Sequence, residues 1–238
     1  MLRKRKKWIT MNETREQVYN VPYEIYHAPK KGGFTSLLYR FRRFTLDRQR
    51  VTFDMLSPGQ RFLDVGCGFG LLVTMAKDKF DEVYGIDISS SNIERAGRSI
   101  EDRSDKEKIF FSQLDVEKGL PFDDSFFDAV STVAVLEHIF NPPSLLDEIS
   151  RVLKSKGQFI VEVPNFAWLP RRLQLLFGEL PVTGGTDKLG IDWLHLHNFT
   201  ESTLTYSSKA KGLKLQVCRL PGHLQNIVDG GFHRSAQT

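Results

Sequence analysis

From residue 60 onward, short apolar runs take turns with stretches of helical period. RFLDV runs into a helix from about Leu71, and EVYGIDI into a helix opened by Ser89, Ser90 and Ser91. IFFSQLD follows, then FFDAVSTVAV with another helix, and QFIVEVP closes the series. Strand and helix alternating at this length predict a mostly parallel sheet flanked by helices, an α/β architecture. The helix over residues 143–153 shows the pattern plainly. Leu145, Leu146, Ile149, Val152 and Leu153 make one apolar face, with Gly157 just beyond its end, and such a face belongs to a core.

Three regions depart from this rhythm. Residues 35–56 place Leu37, Phe41, Phe44, Val51 and Met55 at spacings of three, four or seven with arginines between them, which predicts an amphipathic helix or two short ones, ended by Pro58 and Gly59. Residues 164–199 form a connection of about 35 residues where two to six are usual, which suggests a lid or binding loop. Within it Pro170 and Gly178 bracket a short helix whose Leu173, Leu176 and Phe177 share a face. Near the end Thr200 is an N-cap for a later helix, and LKLQVCRL over residues 213–220 alternates like a strand. The tail HLQNIVDGGFHRSAQT lacks a strand pattern, so the last strand is expected to be irregular or missing. The expected organisation is a basic N-terminal arm with an amphipathic helix over residues 1–56 and one domain over residues 57–238, with 165–199 as an insertion on the substrate side.

Composition refines the picture only slightly. With 238 residues, 40% of them apolar and 26% charged, an ordinary soluble globule is expected. No apolar run approaches the roughly 18–20 residues of a membrane span, and the basic opening is followed by polar residues rather than a signal-peptide core, so a cytoplasmic location is expected. Met11 opens a sequence of its own, which makes the first ten residues a candidate start-site artefact. Cys67 and Cys218 are too few for a disulfide framework, and no Cys/His cluster has zinc spacing. The net charge is +4, with basic residues crowding positions 3–7 and Arg40, Arg42, Arg43, Arg48 and Arg50 a second segment. That surplus is read either as a solvated face or as a preference for an anionic partner.

The chemistry is concentrated at strand ends. The strand ending in Asp64 enters a turn with Gly66, Gly68 and Gly70 before a helix, where glycines let the backbone approach a ligand closely. A dinucleotide fingerprint would read G-x-G-x-x-G, but here the glycines fall at every second position. Asp87, 21 positions after Gly66, ends the next strand, where a carboxylate can accept from two vicinal ribose hydroxyls. Asp115 ends the third, where a carboxylate can accept from an adenine amino group.

In this order LDVGCGFG, EVYGIDI, SQLDVEKGLPFDDSFFDAV and VLEHI resemble the motifs of class I, Rossmann-like S-adenosylmethionine-dependent methyltransferases. The resemblance covers roughly residues 58–215 and lies nearest the type 11 and type 23 methyltransferase-domain groups, with ubiquinone-biosynthesis and methionine-biosynthesis protein W enzymes among them. It implies S-adenosyl-L-methionine as cofactor. The methionyl and ribose portions would be wrapped by Asp64, Gly66, Cys67, Gly68 and Gly70, the ribose held by Asp87 beside Ile88, and the adenine by Asp115 and Val116. Val133 would contact the cofactor from the end of the fourth strand.

Methyl transfer from a sulfonium mainly requires in-line positioning and exclusion of water, so a base is optional. For a hydroxyl acceptor His138 is the first candidate base, the other reading being that Glu137 and His138 bond loop backbone or cofactor. His195 is the second candidate. His195 and His197 lie at alternate positions without a third ligand nearby in sequence, so no metal is expected; one histidine should face the acceptor and the other pack. Asn141, Pro142, Pro143 and Ser144 spell a motif of nucleic-acid amino methyltransferases, but it opens a helix instead of ending the fourth strand at residues 131–134, so it is read as a helix start. Arg171 and Arg172 with the arm's arginines could rim the pocket and favour an anionic acceptor, against a reading as surface arginines. The expected function is therefore methyl transfer to a small-molecule or lipid- or sugar-linked acceptor. A non-catalytic S-adenosylmethionine-binding regulator and an RNA-directed methyltransferase are the rivals. Nucleic acid is the less favoured partner, and peripheral membrane contact stays open.

Overall fold

The structure is a computed structural model that describes residues 48–181, 195–209, 215–220 and 223–229, with side chains described through residue 205. Its elements in chain order are α1 (Arg48–Met55), β1 (Gly59–Val65), α2 (Leu71–Ala76), β2 (Phe80–Asp87), α3 (Ser90–Arg98), β3 (Ile109–Gln113), β4 (Phe127–Val133), α4 (Pro142–Val152), β5 (Leu153–Pro164), α5 (Leu169–Leu176), α6 (Glu201–Lys209), β6 (Leu215–Leu220) and β7 (His223–Asp229). They form a seven-stranded sheet in the order β3-β2-β1-β4-β5-β7-β6. The first five strands run parallel, and β7 pairs antiparallel with both β5 and β6. This is the Rossmann-like α/β arrangement expected, with one difference. The tail read as lacking a strand supplies β7, whose Leu224–Val228 stretch sits in register with Phe159–Val163 of β5. Its polar Gln225 and Asn226 break the alternation that a sequence reading relies on, but a long antiparallel ladder on both sides compensates.

Helices on the two faces make two cores. On one, α4 brings Leu145, Leu146, Ile149 and Val152 onto Leu63, Val65, Val130, Phe159 and Val161, the apolar face expected. On the other, Leu72, Val73 and Ala76 of α2 cover Phe62, Val83, Ala129 and Ile160. Helix starts are fixed locally. The Ser89 hydroxyl accepts from the Asn92 N–H at 3.2 Å, and the Asn141 amide oxygen from Ser144 N–H at 3.4 Å with prolines in the first turn. The Asn141–Ser144 tetrapeptide is therefore a helix start on the far side of the turn after β4.

Of the amphipathic N-terminal segment, α1 is described, while Leu37, Phe41 and Phe44 lie outside the described residues. Thr52 is the residue of α1 that is fully buried, with its hydroxyl donating to Arg48 O at 2.8 Å, and Phe53 and Met55 pack partly against the second core. Arg48 reaches the buried carboxylate of Glu162 on β5 at 3.4 Å, which ties the helix to the sheet. In α5 the expected apolar face is turned outward: Leu176 is 76% and Phe177 70% exposed, while Arg171 is buried and donates to Asn165 O. Arg171 thus does not join Arg172 on a basic rim.

Candidate active site

Every strand-end residue named from the sequence lies at the carboxyl edge of the parallel strands, around the gap between β1 and β4 where the strand order reverses. Helices leaving adjacent strands at such a switch point go to opposite faces, and a crevice opens between them. The glycine turn forms one lip. Gly66, Gly68 and Gly70 all have positive φ (74°, 53° and 76°), which explains why glycine stands at every second position. Gly66 N–H and Cys67 N–H both donate to Ile86 O at 2.8 and 3.0 Å, hanging the turn on β2. A Cβ on Gly66 would meet Val135 Cγ2 at 2.4 Å, and one on Gly70 would meet Phe111 at 2.4 Å, but one on Gly68 would meet nothing within 4 Å. Two glycines are therefore required by protein neighbours, and Gly68 borders open space of the kind a ligand fills.

Asp87 closes this lip. One carboxylate oxygen accepts from Gly68 N–H at 2.9 Å, the other from Ser89 N–H at 2.8 Å and the Asn92 amide at 3.3 Å. Ile88 follows, its carbonyl accepting from the Gln113 side chain at 3.2 Å. Leu114 N–H donates to Asp87 O at 2.9 Å, which sets the ends of β2 and β3 side by side. Asp115 and Val116 come next, and the Asp115 carboxylate accepts from Glu117 N–H at 3.2 Å, starting a short 3₁₀ turn over Val116–Lys118. Cys67 is buried with its thiol toward Gly68 O at 3.8 Å, and burial pushes the thiol's pKa up, so it contributes shape rather than a nucleophile.

Asp64 is a strongly perturbed carboxyl group. It is buried, its one side-chain hydrogen bond is from the Ser131 hydroxyl at 2.6 Å, and desolvation pushes its pKa up to about 7, the hydrogen bond opposing and the nearby Asp87 charge assisting. A buried carboxylate in this state is complementary to a cationic ligand.

The opposite lip is the segment after β4. Ala134 has a φ of 57°, unusual for a side-chain-bearing residue, and its N–H donates to Glu162 O at 3.0 Å. Beyond Val133 and Ala134 the chain passes Val135, which touches Gly66, and enters a 3₁₀ turn over Leu136–His138. Glu137 is 1% exposed in its side chain, and its backbone oxygen accepts from Leu196 N–H at 2.8 Å and His197 N–H at 3.2 Å. Those two bonds bring His195 in from far along the chain. Its Nε2 lies 4.0 Å from Glu137 Oε1, and its ring meets the His138 ring edge-to-face at 4.8 Å between centroids. The two histidines singled out separately in sequence are thus neighbours, while His197 turns away onto Phe199, 6.4 Å between ring centroids.

Sequence reasoning missed three participants: Phe111, the floor beneath Gly70 and Gly85; Ser131, the partner of Asp64; and the joining of Glu137 to His195. Phe111 and Ser131 read as ordinary strand residues, and the last contact spans 58 positions, so none had a local signal.

A sheet of this order, with a glycine turn after β1 and acidic residues closing β2 and following β3, defines a class I, Rossmann-like methyltransferase fold. Residues 63–161 match the sequence model of a family described as a methyltransferase domain. Over those residues the chain is thus similar to a methyltransferase domain, and its sheet is that of the class I fold. It is 41% identical over 103 residues to an uncharacterized protein of Methanocaldococcus jannaschii (43% of this chain, 40% of that one). It is 34% identical over 107 residues to a ubiquinone biosynthesis O-methyltransferase of Alkalilimnicola ehrlichii (45% and 42%). It is 34% identical over 116 residues to a demethylmenaquinone methyltransferase of Symbiobacterium thermophilum (48% and 46%). The matched stretch spans less than half the length of each. Among solved structures, an S-adenosylmethionine-dependent methyltransferase of Methanosarcina mazei superposes with a TM-score of 0.60 at 23% identity, covering 76% of this chain and 96% of that one. The complex of the Haloferax volcanii Trm112 methyltransferase activator with a putative methyltransferase gives 0.62 at 17% identity, covering 84% and 97%. A [4+2]-cyclase, SpnF, gives 0.56 at 24%, covering 80% and 64%, so the fold by itself does not dictate methyl transfer.

Proposed function

We propose that the protein transfers a methyl group from S-adenosylmethionine to a small-molecule acceptor, and that the acceptor carries an apolar, lipid-like portion. The observation that carries the first half is the turn after β1, where Gly68 borders open space and Asp64 is buried at the strand end. The residues fit the cofactor. Gly68, in a turn shaped by Gly66, Cys67 and Gly70, leaves room for close backbone approach, Asp87 beside Ile88 would accept from the ribose hydroxyls, and Asp115 with Val116 would hold the adenine edge. Val133, half-buried at the end of β4, would contact the cofactor from that side. When bound, the cofactor supplies an electrophilic methyl on a sulfonium with a neutral leaving group. The chain's task is then to align acceptor and methyl and to keep water out. Glu137, His138 and His195 form the polar end of the acceptor side, where a histidine can take a proton from an acceptor hydroxyl.

The second half rests on α5, which leaves the carboxyl end of β5 beside this site. Leu169 is 65%, Leu176 76% and Phe177 70% exposed, while the basic Arg171 is buried, the reverse of a solvated surface helix. Relatives named for ubiquinone biosynthesis and demethylmenaquinone are consistent with that choice. Among the described residues no helix is long and apolar enough to cross a membrane.

Calorimetry with S-adenosylmethionine and S-adenosylhomocysteine tests the cofactor premise; no binding to either would sink it. A screen with methyl-labelled cofactor, comparing hydroxylated aromatics with and without an isoprenoid tail in detergent micelles, tests the acceptor class. Turnover confined to tail-free polar acceptors would refute the lipid-like portion.

Asp64 makes the binding pH-dependent. Its folded pKa lies above the unfolded value of about 3.8, so between about pH 4 and 7 the folded chain holds a proton that the unfolded chain releases. This group therefore makes the ligand-free protein less stable as pH rises through that window. A cationic cofactor binds the ionised form, so its affinity should rise about tenfold per pH unit up to about pH 7 and then level off. Asp64→Asn should flatten that segment of the profile, and an equally steep profile in the variant would exclude Asp64 as its source.

A further inference from the structure

The expectation of no metal counted neighbours in sequence, and the fold supplies a set that sequence proximity does not. Glu137 and His138 sit on one short turn, and His195 is brought to them by the two backbone bonds into Glu137 O. One ligand atom from each lies within 4.8 Å of the other two, and Glu137 Oε1 and His195 Nε2 are 4.0 Å apart. In a tetrahedral site with bonds of about 2.0–2.1 Å, ligand atoms are separated by roughly 3.3 Å, so closing the set needs shifts of about 1 Å. The backbone that carries all three is already pinned, His138 N–H to Val135 O at 2.9 Å on one side and the His195 loop on the other. Two imidazoles and a carboxylate are the donor set of an open zinc site, borderline in softness, with the buried Glu137 charge favouring a dication.

We propose that Glu137, His138 and His195 bind one divalent ion of the zinc class, leaving one coordination position open. That position would take water or an oxygen of the acceptor, whose proton becomes easier to lose to solvent. A histidine nitrogen that ligates a metal has no lone pair left for a proton, so at that nitrogen ligation replaces the general-base role. The role at the acceptor rests on the methyl-transfer reading, whereas the binding itself does not.

The test is titration of the full chain, stripped with chelator, with Zn²⁺ by calorimetry and with Co²⁺ by its visible absorption. One ion per chain with Kd near or below 1 μM is expected. Glu137→Gln and His195→Ala should each weaken it about 100-fold and abolish the tetrahedral cobalt spectrum, while His197→Ala on the same loop should leave both unchanged. Circular dichroism and melting of each variant show that it folds; if His195→Ala does not, His138→Ala takes its place. Absence of stoichiometric binding, or binding undiminished in both ligand variants, overturns the proposal. Cofactor binding measured on the same samples separates the readings: S-adenosylmethionine bound without zinc removes the metal alone, and zinc bound without S-adenosylmethionine removes the methyltransferase reading and leaves the metal.

Discussion

Replacing Asp87 with alanine is expected to weaken S-adenosylmethionine binding by about 10²–10³-fold, the larger share coming from lost charge-assisted hydrogen bonds to the ribose at about 1.5–3 kcal/mol each. The rest comes from the turn. Asp87 accepts from Gly68 N–H, Ser89 N–H and the Asn92 side chain, so it holds the glycine turn and the start of α3 together before any ligand arrives. Alanine leaves those donors to water and costs the fold about 1–2 kcal/mol, small enough for the variant to be purified. Asp87→Asn keeps one acceptor oxygen and should lose about tenfold. Calorimetry on the three proteins decides the matter, and alanine binding within threefold of the parent would mean that Asp87 serves the turn alone.

The parts of this site differ in how far the sequence announces them. The strands ending at Asp64, Asp87 and Val133 were readable because buried parallel strands are continuous apolar runs bounded by glycine or a carboxylate, and α4 because its apolar residues keep a helical period. β7 escaped because Gln225 and Asn226 interrupt its alternation, and its place is set by pairing with β5, some 65 positions earlier in the chain. The outward leucines of α5 and the inward Arg171 escaped for a related reason. Periodicity tells which residues share a face, but what lies opposite decides which face goes inside, and Asn165 O and the Trp168 ring take the guanidinium. His138 and His195 were visible as chemistry-bearing residues, yet nothing local says that they meet. That contact depends on the two N–H groups of Leu196 and His197 finding the carbonyl of Glu137.

Two substitutions two residues apart along the same turn should fail in opposite ways. Gly66→Ala is a folding lesion: its φ of 74° costs an alanine about 1–2 kcal/mol, and the new Cβ would sit 2.4 Å from Val135 Cγ2, adding about 1–3 kcal/mol of overpacking. A total of about 2–5 kcal/mol is a large part of the stability of a domain this size and should appear as a drop in Tm of several degrees. Val135→Ala in the same chain removes the clash and leaves the φ cost, so the double variant should recover roughly half of the loss, a coupling that additive effects cannot produce. Gly68→Ala carries a similar backbone cost at φ 53°, but its Cβ enters space with no protein atom within 4 Å. It should melt within a few degrees of the parent while losing S-adenosylmethionine affinity by about 100-fold or more, because the space it occupies is the one assigned to the cofactor. A Gly68→Ala protein that binds the cofactor normally would move the binding site off this turn, whatever Asp87→Ala does.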